Sequence, residues 1–535
     1  MFRSQEQANF SAIVAKHMAE PDAPLLLEGA TGLGKTRAYL EAVMQAAQTG
    51  KRIAIVLPSH QLIDQLLAST DLAETLRKDI KVIAFRPLKH FENRKSFIDH
   101  KQAALDAQVM LCTSASVIID QRLSGGYNAV LGRDYIIFDE ADQLPDAAAL
   151  QSDCEITKYQ FKDLNIQVES AEQAARDVLK KKDLEPELKA AALMLLEAID
   201  EPAWYYKAGL TDDGGAMLFH KMPGRLLKKV ANRKVVAFIS ATLSISETFD
   251  DFKRAMGIQH QSKLSTIIEP FRHGKLGFYV SDVMVNTPEW LDVIQKIMST
   301  AKSPILVVTP SHELAKTLSA VITNSTVRSA EETASQAALR MGESKVLIAA
   351  GAWAGLDTPI QWASIVVPRL PYDRPVVIEG NHESSFLDIR NTALRRMRQV
   401  IGRGLRSPNA ECDIYICDSR FNNIETFVPT RFHAAWVDKG FLEGNRREVV
   451  LSKIERDPSV RKEALRHFGH QCMSCGFKPK VISQLDVHHL FPLHEGERRT
   501  EISDLAVLCA NCHRFAHSTE PPLTVEAMKS LDHKC

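Results

Sequence analysis

Two cysteine pairs near the C-terminal end of the sequence have the spacing of a metal site. Cys472 and Cys475 form one CxxC pair, and Cys509 and Cys512 form the other. Four thiolates from two such pairs are the ligand set of a tetrahedral structural zinc site. A small module at the end of a chain buries little apolar surface, and a metal ion is a suitable means of stabilising it. The sequence therefore predicts a structural Zn²⁺ bound by these four cysteines.

Four histidines in the same region predict a second metal site. His513 and His517 are four residues apart and lie on one face of a helix if this segment is helical. With His488 they supply three imidazoles to a metal ion whose other positions stay open, which suits phosphodiester cleavage. The neighbouring His489 can deprotonate an attacking water near neutral pH. Mg²⁺, Mn²⁺, Ni²⁺ and Zn²⁺ all fit such a site.

A glycine-rich segment near the start has the pattern of a phosphate-binding loop. Residues 29–36 read G-x-x-x-x-G-K-T and follow a short apolar run that is typical of a strand. Glycines let backbone N–H groups close around phosphates at a helix N-terminus. Lys35 adds positive charge for the β- and γ-phosphates of ATP, and the Thr36 hydroxyl suits Mg²⁺. The residues predicted to bind the nucleotide here are Gly29, Thr31, Gly32, Gly34, Lys35 and Thr36.

Two adjacent carboxylates complement this loop. Asp139 and Glu140 directly follow the apolar run of residues 135–138. A P-loop ATPase needs one carboxylate in the Mg²⁺ shell and a second group that orients or deprotonates the attacking water. We expect Asp139 in the first role and Glu140 in the second.

The segments around these residues predict the layers that position them. Short β-branched runs alternate with longer amphipathic segments, which is typical of parallel α/β layers. Residues 1–245 and 246–430 are predicted as two α/β domains, and residues 146–233 as a helical insertion in the first, because Ala, Leu, Lys and Glu recur there at helical spacing. Residues 431–456 are predicted as a linker and residues 457–535 as a separate small domain. The predicted strands are residues 24–28, 52–57, 81–85, 109–112, 135–138, 235–239, 305–309, 345–349, 364–368 and 413–417.

Several motifs, taken in this order, resemble superfamily 2 helicases. Asp139-Glu-Ala-Asp142, Ser240-Ala-Thr-Leu243 and Gln399-Val-Ile-Gly-Arg-Gly-Leu-Arg406 are similar to the helicase motifs II, III and VI. Gly351-Ala-Trp-Ala-Gly-Leu-Asp357, followed by Leu370-Pro-Tyr-Asp-Arg-Pro375, resembles the motif V region of the XPD/DinG group. The resemblance implies two RecA-like domains, an insertion that matches the arch domain, and an ATP-driven motor on DNA.

The same resemblance implies roles for further residues. Arg403 and Arg406 would contact the γ-phosphate across a cleft between the two lobes, where positive charge stabilises the transition state. Gln399 belongs to the same catalytic motif, and Asp357 belongs to the nucleotide-binding set. Arg3 and Gln5 resemble the adenine-reading segment at the start of the family's first domain.

The C-terminal domain resembles the HNH nucleases, in particular their zinc-stapled McrA-like branch. The order of the two cysteine pairs, His488-His489, and His513 with His517 carries this resemblance, which implies a ββα-metal fold that cuts DNA. Asp504 stands where the family usually has an Asn that holds the loop bearing the general base, and a carboxylate can accept the same hydrogen bonds. The alternative is a zinc ribbon that only binds DNA or protein.

One departure from the XPD/DinG pattern bears on cofactors and partners. The group commonly binds an iron–sulfur cluster through four cysteines between motifs Ia and II, and this interval contains only Cys112. We therefore expect ATP, Mg²⁺, Zn²⁺ and a divalent ion at the histidine site, but no iron–sulfur cluster. The cluster-free form with a fused HNH domain resembles the DinG-type helicases of type IV CRISPR systems. That resemblance implies 5′-to-3′ movement on single-stranded DNA, forked or R-loop DNA as the substrate, and an RNA-guided effector complex as partner.

The overall charge excludes a general attraction to DNA or membranes. Lys plus Arg and Asp plus Glu number 66 each, so DNA contact depends on local basic surface. The sequence has neither a signal-peptide pattern nor an apolar run of membrane-spanning length, and we expect a soluble cytoplasmic protein without a membrane partner. Two other functions stay open: a stand-alone anti-phage, restriction or R-loop repair helicase–nuclease, and an ATP-driven remodeler with a non-catalytic zinc-binding docking module.

Overall fold

The chain forms two compact units in the computed structural model. The first comprises Met1–Arg272 and Tyr372–Gln399, and the second comprises His273–Pro371 and Val400–Cys535. The structure describes residues 2–69, 72, 80–122, 130, 132–259, 264–268, 274–281, 283–342, 345–353, 355–356, 358–405, 409–421, 441–443, 458–490, 498–519 and 522–530.

The part of the chain up to residue 268 alternates strands and helices. Its strands are β1 (Leu25–Gly29), β2 (Ile53–Leu57), β3 (Val82–Ala84), β4 (Val109–Thr113), β5 (Tyr135–Phe138), β6 (Cys154–Ile156), β7 (Tyr206–Leu210), β8 (Ala216–His220), β9 (Val236–Ser240) and β10 (Leu264–Ile268). Its helices are α1 (Gln5–Ala19), α2 (Lys35–Gln48), α3 (His60–Ala68), α4 (Arg94–Asp106), α5 (Ser114–Arg122), α6 (Leu144–Ser152), α7 (Lys158–Asp163), α8 (Ala171–Lys180), α9 (Pro186–Asp200), α10 (Lys228–Ala231) and α11 (Asp250–Met256).

A seven-stranded parallel sheet forms the centre of the first unit. Its order is β10-β1-β9-β5-β2-β4-β3. Alternate residues of the strands enter two separate apolar cores, Leu25 and Leu27 one core and Leu26 the other. Strands buried on both faces read as continuous apolar runs, which is why the sequence reveals them. The six strands predicted in this region each lie within one residue of the observed bounds.

The sheet continues beyond the predicted boundary at residue 245, because β10 pairs in parallel with β1. The sequence does not single out β10. This strand forms the edge of the sheet, and its last three side chains, from Thr266 to Ile268, are only half-buried, so its apolar signal is weak.

The insertion between β5 and β9 mixes helices with strands. Strands β6, β8 and β7 form an antiparallel sheet in this order, and α8 and α9 share an apolar core with it. Residues 206–220 are therefore strands, within a segment that the sequence predicts as helical. Two short runs joined by a turn at Gly214, with a φ of 89°, form a hairpin there.

Residues 275–416 contain a second series of strands and helices. In chain order these are β11 (Lys275–Val280), α12 (Pro288–Thr300), β12 (Ile305–Thr309), α13 (His312–Ser319), β13 (Thr326–Val327), α14 (Ala334–Leu339), β14 (Val346–Ala350), β15 (Ser364–Val367), β16 (Val377–Ile378), β17 (Asn381–His382), α15 (Phe386–Gly404) and β18 (Glu411–Ile416). The second unit contains a six-stranded parallel sheet in the order β11-β18-β15-β12-β14-β13. Two parallel sheets of this kind confirm the predicted α/β fold class.

The short hairpin of β16 and β17 belongs to the first unit. Ile378 forms a β-bridge with Thr211, and Nζ of Lys207 lies 2.6 Å from the carboxylate of Glu379. The hairpin therefore packs on the antiparallel sheet of the insertion.

The C-terminal module is small. Strand β19 (Phe441–Glu443) precedes it and pairs with its strand β21. Its own elements are α16 (Pro458–Phe468), β20 (Leu485–His489), β21 (Arg498–Thr500), β22 (Leu505–Cys509), α17 (Ala510–Ala516) and α18 (Val525–Ser530). The antiparallel pair of β20 and β22 leads directly into α17, which is the predicted ββα arrangement. None of the described helices in the whole chain is both long and apolar enough to cross a membrane.

Candidate functional site

The predicted phosphate-binding loop connects β1 to α2. Gly32 and Gly34 have positive φ angles of 85° and 77°. A Cβ at Gly34 would lie 2.4 Å from Nε2 of Gln7, so both the backbone conformation and the space require glycine there. Helix α2 begins at Lys35, and its positive end therefore follows the loop directly. This geometry fits a nucleotide phosphate. The roles of the other loop residues stay predictions: Gly29, Thr31 and Thr36.

A glutamine of α1 that the sequence analysis does not single out, Gln7, holds this loop. The buried Gln7 donates from Nε2 to the Gly34 carbonyl at 2.9 Å and accepts the Arg3 backbone N–H at 2.7 Å. Gln5 is exposed and donates to Asn9 on the same helix. Side chains two residues apart point about 200° away from each other around a helix, so both glutamines cannot face the loop. The adenine-reading roles of Arg3 and Gln5 stay predictions.

Asp139 follows β5 and lies near the loop. Its carboxylate accepts the Tyr39 hydroxyl at 2.8 Å and the Glu140 backbone N–H at 3.0 Å. Burial raises the pKa of Asp139, while the charge of Lys35 and the Tyr39 hydrogen bond oppose that shift. A buried carboxylate beside a lysine is suited to Mg²⁺–nucleotide, because the ion favours the charged form. Tyr39 is not evident from the sequence, where a lone aromatic residue in an amphipathic helix reads as core.

Glu140 has an unusual backbone for its residue type. Its φ of 48° and ψ of 45° lie in the left-handed region, which residues other than glycine seldom occupy. Such conformations concentrate at active sites, where the surrounding structure imposes them. Its predicted role in positioning the attacking water stays a prediction.

Asp142 connects the three segments that resemble helicase motifs II, III and VI. Its buried carboxylate accepts Oγ of Ser240 at 2.5 Å, Oγ1 of Thr242 at 2.7 Å and Nε2 of Gln399 at 2.6 Å. Gln399, predicted as catalytic, therefore donates a hydrogen bond to Asp142 in this structure. Its catalytic role stays a prediction. The sequence analysis includes Asp142 in motif II but does not predict that it accepts hydrogen bonds from all three segments.

A buried ion pair lies directly before the loop. Glu28 is completely buried in β1 and accepts from Arg398 at 2.8 Å and from the Ser244 backbone N–H at 2.5 Å. Arg398 also donates to the Ser244 carbonyl. Neither residue of this pair is a predicted site residue, because a charged residue in a strand and one in an arginine-rich helix carry no distinct signal.

In the second unit, Arg403 holds the loop that resembles motif V. Its guanidinium donates to the backbone carbonyls of Ala352, Trp353 and Leu356 at 2.9, 2.7 and 2.5 Å. This contact gives Arg403 a structural role, and its γ-phosphate contact stays a prediction. Two other predicted residues lie outside the described part of the chain: Asp357 and Arg406.

The four predicted cysteine ligands come together beside β22. The sulfurs of Cys472, Cys475, Cys509 and Cys512 all lie within 4.8 Å of one another, and Sγ of Cys475 is 3.8 Å from Sγ of Cys509. Cys509 also caps α17, since its sulfur accepts the Cys512 N–H at 3.5 Å. Zn–S bonds of about 2.3 Å in a tetrahedron place the sulfurs about 3.8 Å apart. The geometry therefore fits a tetrahedral ion.

The three predicted histidine ligands form a second group. Donor atoms of His488, His513 and His517 lie within 4.8 Å of one another, and their ring centroids are 4.8 to 5.2 Å apart. Nδ1 of His513 lies 3.3 Å from Oδ2 of Asp486, which leaves its Nε2 for a metal ion. A divalent ion bound here would stabilise the charge that develops on a phosphodiester. The sequence offers a signal for Asp486, because it stands two residues before His488 and so shares its strand face.

The predicted base and the residue expected to hold its loop lie at neighbouring strand ends. His489 ends β20 and pairs with Leu505, and its side chain lies outside the described part of the structure. The Asp504 carbonyl accepts the Leu490 N–H at 2.8 Å, and its carboxylate accepts the Glu501 N–H at 3.0 Å. Asp504 therefore holds the backbone after His489 through its main chain. The catalytic roles of both residues stay predictions.

Comparisons with known families agree with these two sites. Residues 6–172 match the DEAD/DEAH box helicase family, residues 294–436 match the helicase C-terminal domain, and residues 472–519 match the HNH endonuclease family. The chain joins a helicase motor to an HNH nuclease domain. It is therefore an enzyme with ATP-dependent helicase and endonuclease domains, which imply ATP, Mg²⁺, a divalent metal at the HNH site and DNA binding.

Solved structures support the fold of the helicase part. An XPD helicase structure is similar over 79% of this chain and 96% of that chain, with a TM-score of 0.55 and 16% identity. An apo XPD structure is similar over 78% of this chain and 96% of that chain, with a TM-score of 0.54 and 15% identity. At such low identity the likeness concerns the fold. No curated protein matches the sequence at a significant level.

Replacing Tyr39 with Phe is expected to weaken the apparent Mg²⁺ affinity in ATP hydrolysis about ten-fold, because Asp139 loses a hydrogen-bond donor that orients it. The measurement is ATPase rate against Mg²⁺ concentration at saturating ATP. Tyr135→Phe is the matched control, since it removes another buried hydroxyl, one that is hydrogen-bonded to His17. Equal Mg²⁺ curves for Tyr39→Phe and wild type would contradict the role of Tyr39.

Replacing Cys475 with Ser is expected to abolish metal binding at the four-cysteine site and to destabilise the HNH domain, while ATP hydrolysis persists. Substitution with Co²⁺ provides the readout, because thiolate-to-cobalt absorption reports the cysteine site separately from the histidine site. Cys154→Ser, at a half-buried thiol of the insertion, is the control. Unchanged cobalt absorption in Cys475→Ser would rule out this residue as a ligand.

Replacing Asp486 with Asn is expected to weaken divalent metal binding at the histidine site about ten-fold or more, because His513 loses the carboxylate that orients its ring. Nuclease activity against Mn²⁺ concentration measures the effect. The exposed Glu526 of the same domain serves as the control through Glu526→Gln. If both variants require the same Mn²⁺ concentration, Asp486 does not orient His513.

Proposed function

We propose that this protein is an ATP-driven translocase that moves 5′ to 3′ on single-stranded DNA and cuts DNA with its fused HNH domain. The observation that carries the proposal is that one chain contains both sites. The first is a phosphate-binding loop with Asp139 close to Lys35, and the second is a group of three imidazoles within 4.8 Å. The movement of the motor and the cutting of DNA would then act on the same substrate.

The helicase families and the XPD-like fold support the motor part of the proposal. Asp142 supports it further, since it links Ser240 and Thr242 to Gln399 by direct hydrogen bonds. A change at the nucleotide would therefore reach Gln399 through one carboxylate. The direction of movement and the preference for single strands come from the resemblance to the XPD/DinG group.

The HNH match and the histidine geometry support the nuclease part. We assign Zn²⁺ to the four cysteines, because a Cys₄ set at these distances suits this ion best. His488, His513 and His517 would hold the catalytic ion, and His489 would deprotonate the attacking water. Asp504 in place of the usual Asn keeps a second candidate open, in which the domain only docks on DNA or protein.

We further propose that the enzyme acts in type IV CRISPR defence. There an RNA-guided complex would open an R-loop, and the motor would load on the displaced strand. The neutral overall charge supports this setting, because a protein without an attractive field depends on a partner to reach its DNA.

Cleavage of forked DNA tests the proposal. Wild type is expected to cut in the presence of Mg²⁺ or Mn²⁺, and ATP should increase cutting. Lys35→Ala should lose the ATP effect and retain basal cutting, since it removes the charge for the phosphates, whereas His489→Ala should lose cutting about 100-fold or more and retain ATP hydrolysis. Gel-resolved cleavage and phosphate release measure the two activities.

His470→Ala is the matched control for the nuclease, because His470 is an exposed histidine of the same domain. Cutting that survives His489→Ala would contradict the assigned base. An active motor that never cuts, with or without a guide complex, would favour the docking alternative.

A further inference from the structure

Three consecutive aromatic residues, Trp204 to Tyr206, follow α9 in the insertion, and the third begins β7. Trp204 and Tyr205 are 70% and 43% exposed, and their ring planes are 86° apart with centroids at 5.7 Å. Tyr205 makes the same edge-on contact with Tyr206, at 5.0 Å and 86°. Exposed aromatic rings of this size are uncommon on a surface with no partner. They offer two faces at right angles to each other.

A strongly basic segment adjoins these rings. Residues 221–234 contain six lysines or arginines and no acidic residue. The guanidinium of Arg225 lies over the Trp204 ring, with its carbon 5.7 Å from the ring centroid. The backbone also joins the two segments, since the Lys221 N–H donates to the Tyr205 carbonyl at 3.0 Å. The cations and the rings therefore belong to one surface.

Two of the cations near the rings are neutralised, and others are not. Lys207 pairs with Glu379, and Lys221 pairs with Glu383. Arg225, Lys228 and Lys229 form no ion pair within the described part of the chain. Arg225 thus keeps its positive charge at the Trp204 ring.

Two of these cations, Arg225 and Lys228, pack against Gly257. It has a positive φ of 66°, and a Cβ there would lie 3.2 Å from Nε of Arg225 and 3.4 Å from Cγ of Lys228. Both side chains therefore pack over this glycine and lie side by side.

We propose that Trp204, Tyr205, Arg225, Lys228 and Lys229 form a binding surface for single-stranded DNA, here called the Trp204 surface. Unpaired bases stack on the two rings, and the three cations contact the phosphates between them. This inference rests on the proposed DNA translocase function and adds a place where the insertion grips the strand.

Single-stranded DNA fits this surface better than other partners. A duplex hides the faces of its bases and would use the cations alone, whereas an unpaired strand offers one ring face and one phosphate per nucleotide. Aromatic platforms lined by cations are the usual means of binding such strands without sequence preference. The absence of acidic residues from residues 221–234 favours a uniformly negative partner.

Binding of a fluorescent oligothymidine to the full-length protein, without nucleotide or added divalent ion, tests the proposal. Trp204→Ala is expected to weaken binding at least about five-fold, because one base loses its stacking partner. Trp204→Phe should recover much of the loss, since Phe keeps a ring. Tyr159→Ala, at a ring that is 67% exposed on α7, is the control and should bind like wild type.

The cations have a separate readout. Replacing Lys228 and Lys229 together with Gln should make the plot of log affinity against log salt shallower by about 1.4, because each phosphate contact on a single strand contributes about 0.7. ATP hydrolysis without DNA should be unchanged in all these variants, which shows that they fold.

The outcomes separate the surface from the proposed function. If wild type binds the oligonucleotide and both Trp204→Ala and the double Lys→Gln variant bind equally well, the Trp204 surface is wrong and the translocase proposal stands. If wild type does not bind at all, both fail. Equal loss in Trp204→Ala and Trp204→Phe would also overturn stacking. If the Trp204 variants instead lose capture of a protein partner while keeping DNA affinity, the surface binds protein and the inference is wrong.

Discussion

The buried charge of Glu28 is the constraint on which the arrangement of the first unit depends. A fully buried carboxylate in a strand that is paired on both sides has no water to solvate it, so it requires a cation and hydrogen bonds in fixed positions. Arg398 and the Ser244 N–H supply them. Breaking such a pair by removing one partner costs about 3–5 kcal/mol in other proteins, because an uncompensated charge is left behind. The nucleotide loop begins at the next residue after Glu28, so strand β1 carries both the buried carboxylate and the first residue of the loop.

This constraint fixes helix α15 as well. Besides Arg398, the helix brings Arg395 to the carboxylate of Asp251 and Gln399 to that of Asp142. Ion pairs that are largely shielded from water keep the register of a helix, because a shift of one residue would turn every pair away by about 100°. Gln399 is therefore held on Asp142 by its neighbours, and the network between the helicase motifs is preorganised before the nucleotide binds.

The sequence predicts the parts of the molecule that follow from simple periodicity. Strands buried on both faces and the spacing of the cysteines and histidines leave patterns that survive without knowledge of the fold. The sequence does not predict contacts that depend on which face of a helix or strand points toward the site. Gln5 and Gln7 are equally good glutamines in the sequence, and only the rotation of α1 decides that Gln7 reaches Gly34. Tyr39 likewise reads as a core residue until Asp139 is placed above it. The hairpin of β7 and β8 was hidden by the helical composition around it.

The charge distribution connects the motor to its substrate. With 66 acidic and 66 basic residues, the protein has no net charge at neutral pH that would attract DNA over a long range. Attraction through phosphates alone weakens steeply with salt, since each contact releases counterions. Stacking on Trp204 and Tyr205 depends much less on salt, because it buries ring faces rather than charge. The proposed Trp204 surface, with few cations and exposed rings, would therefore select strands whose bases are already unpaired and leave intact duplex largely unbound. Such selectivity suits an enzyme whose nuclease is permanently attached, since DNA that is not held is not delivered to the HNH domain.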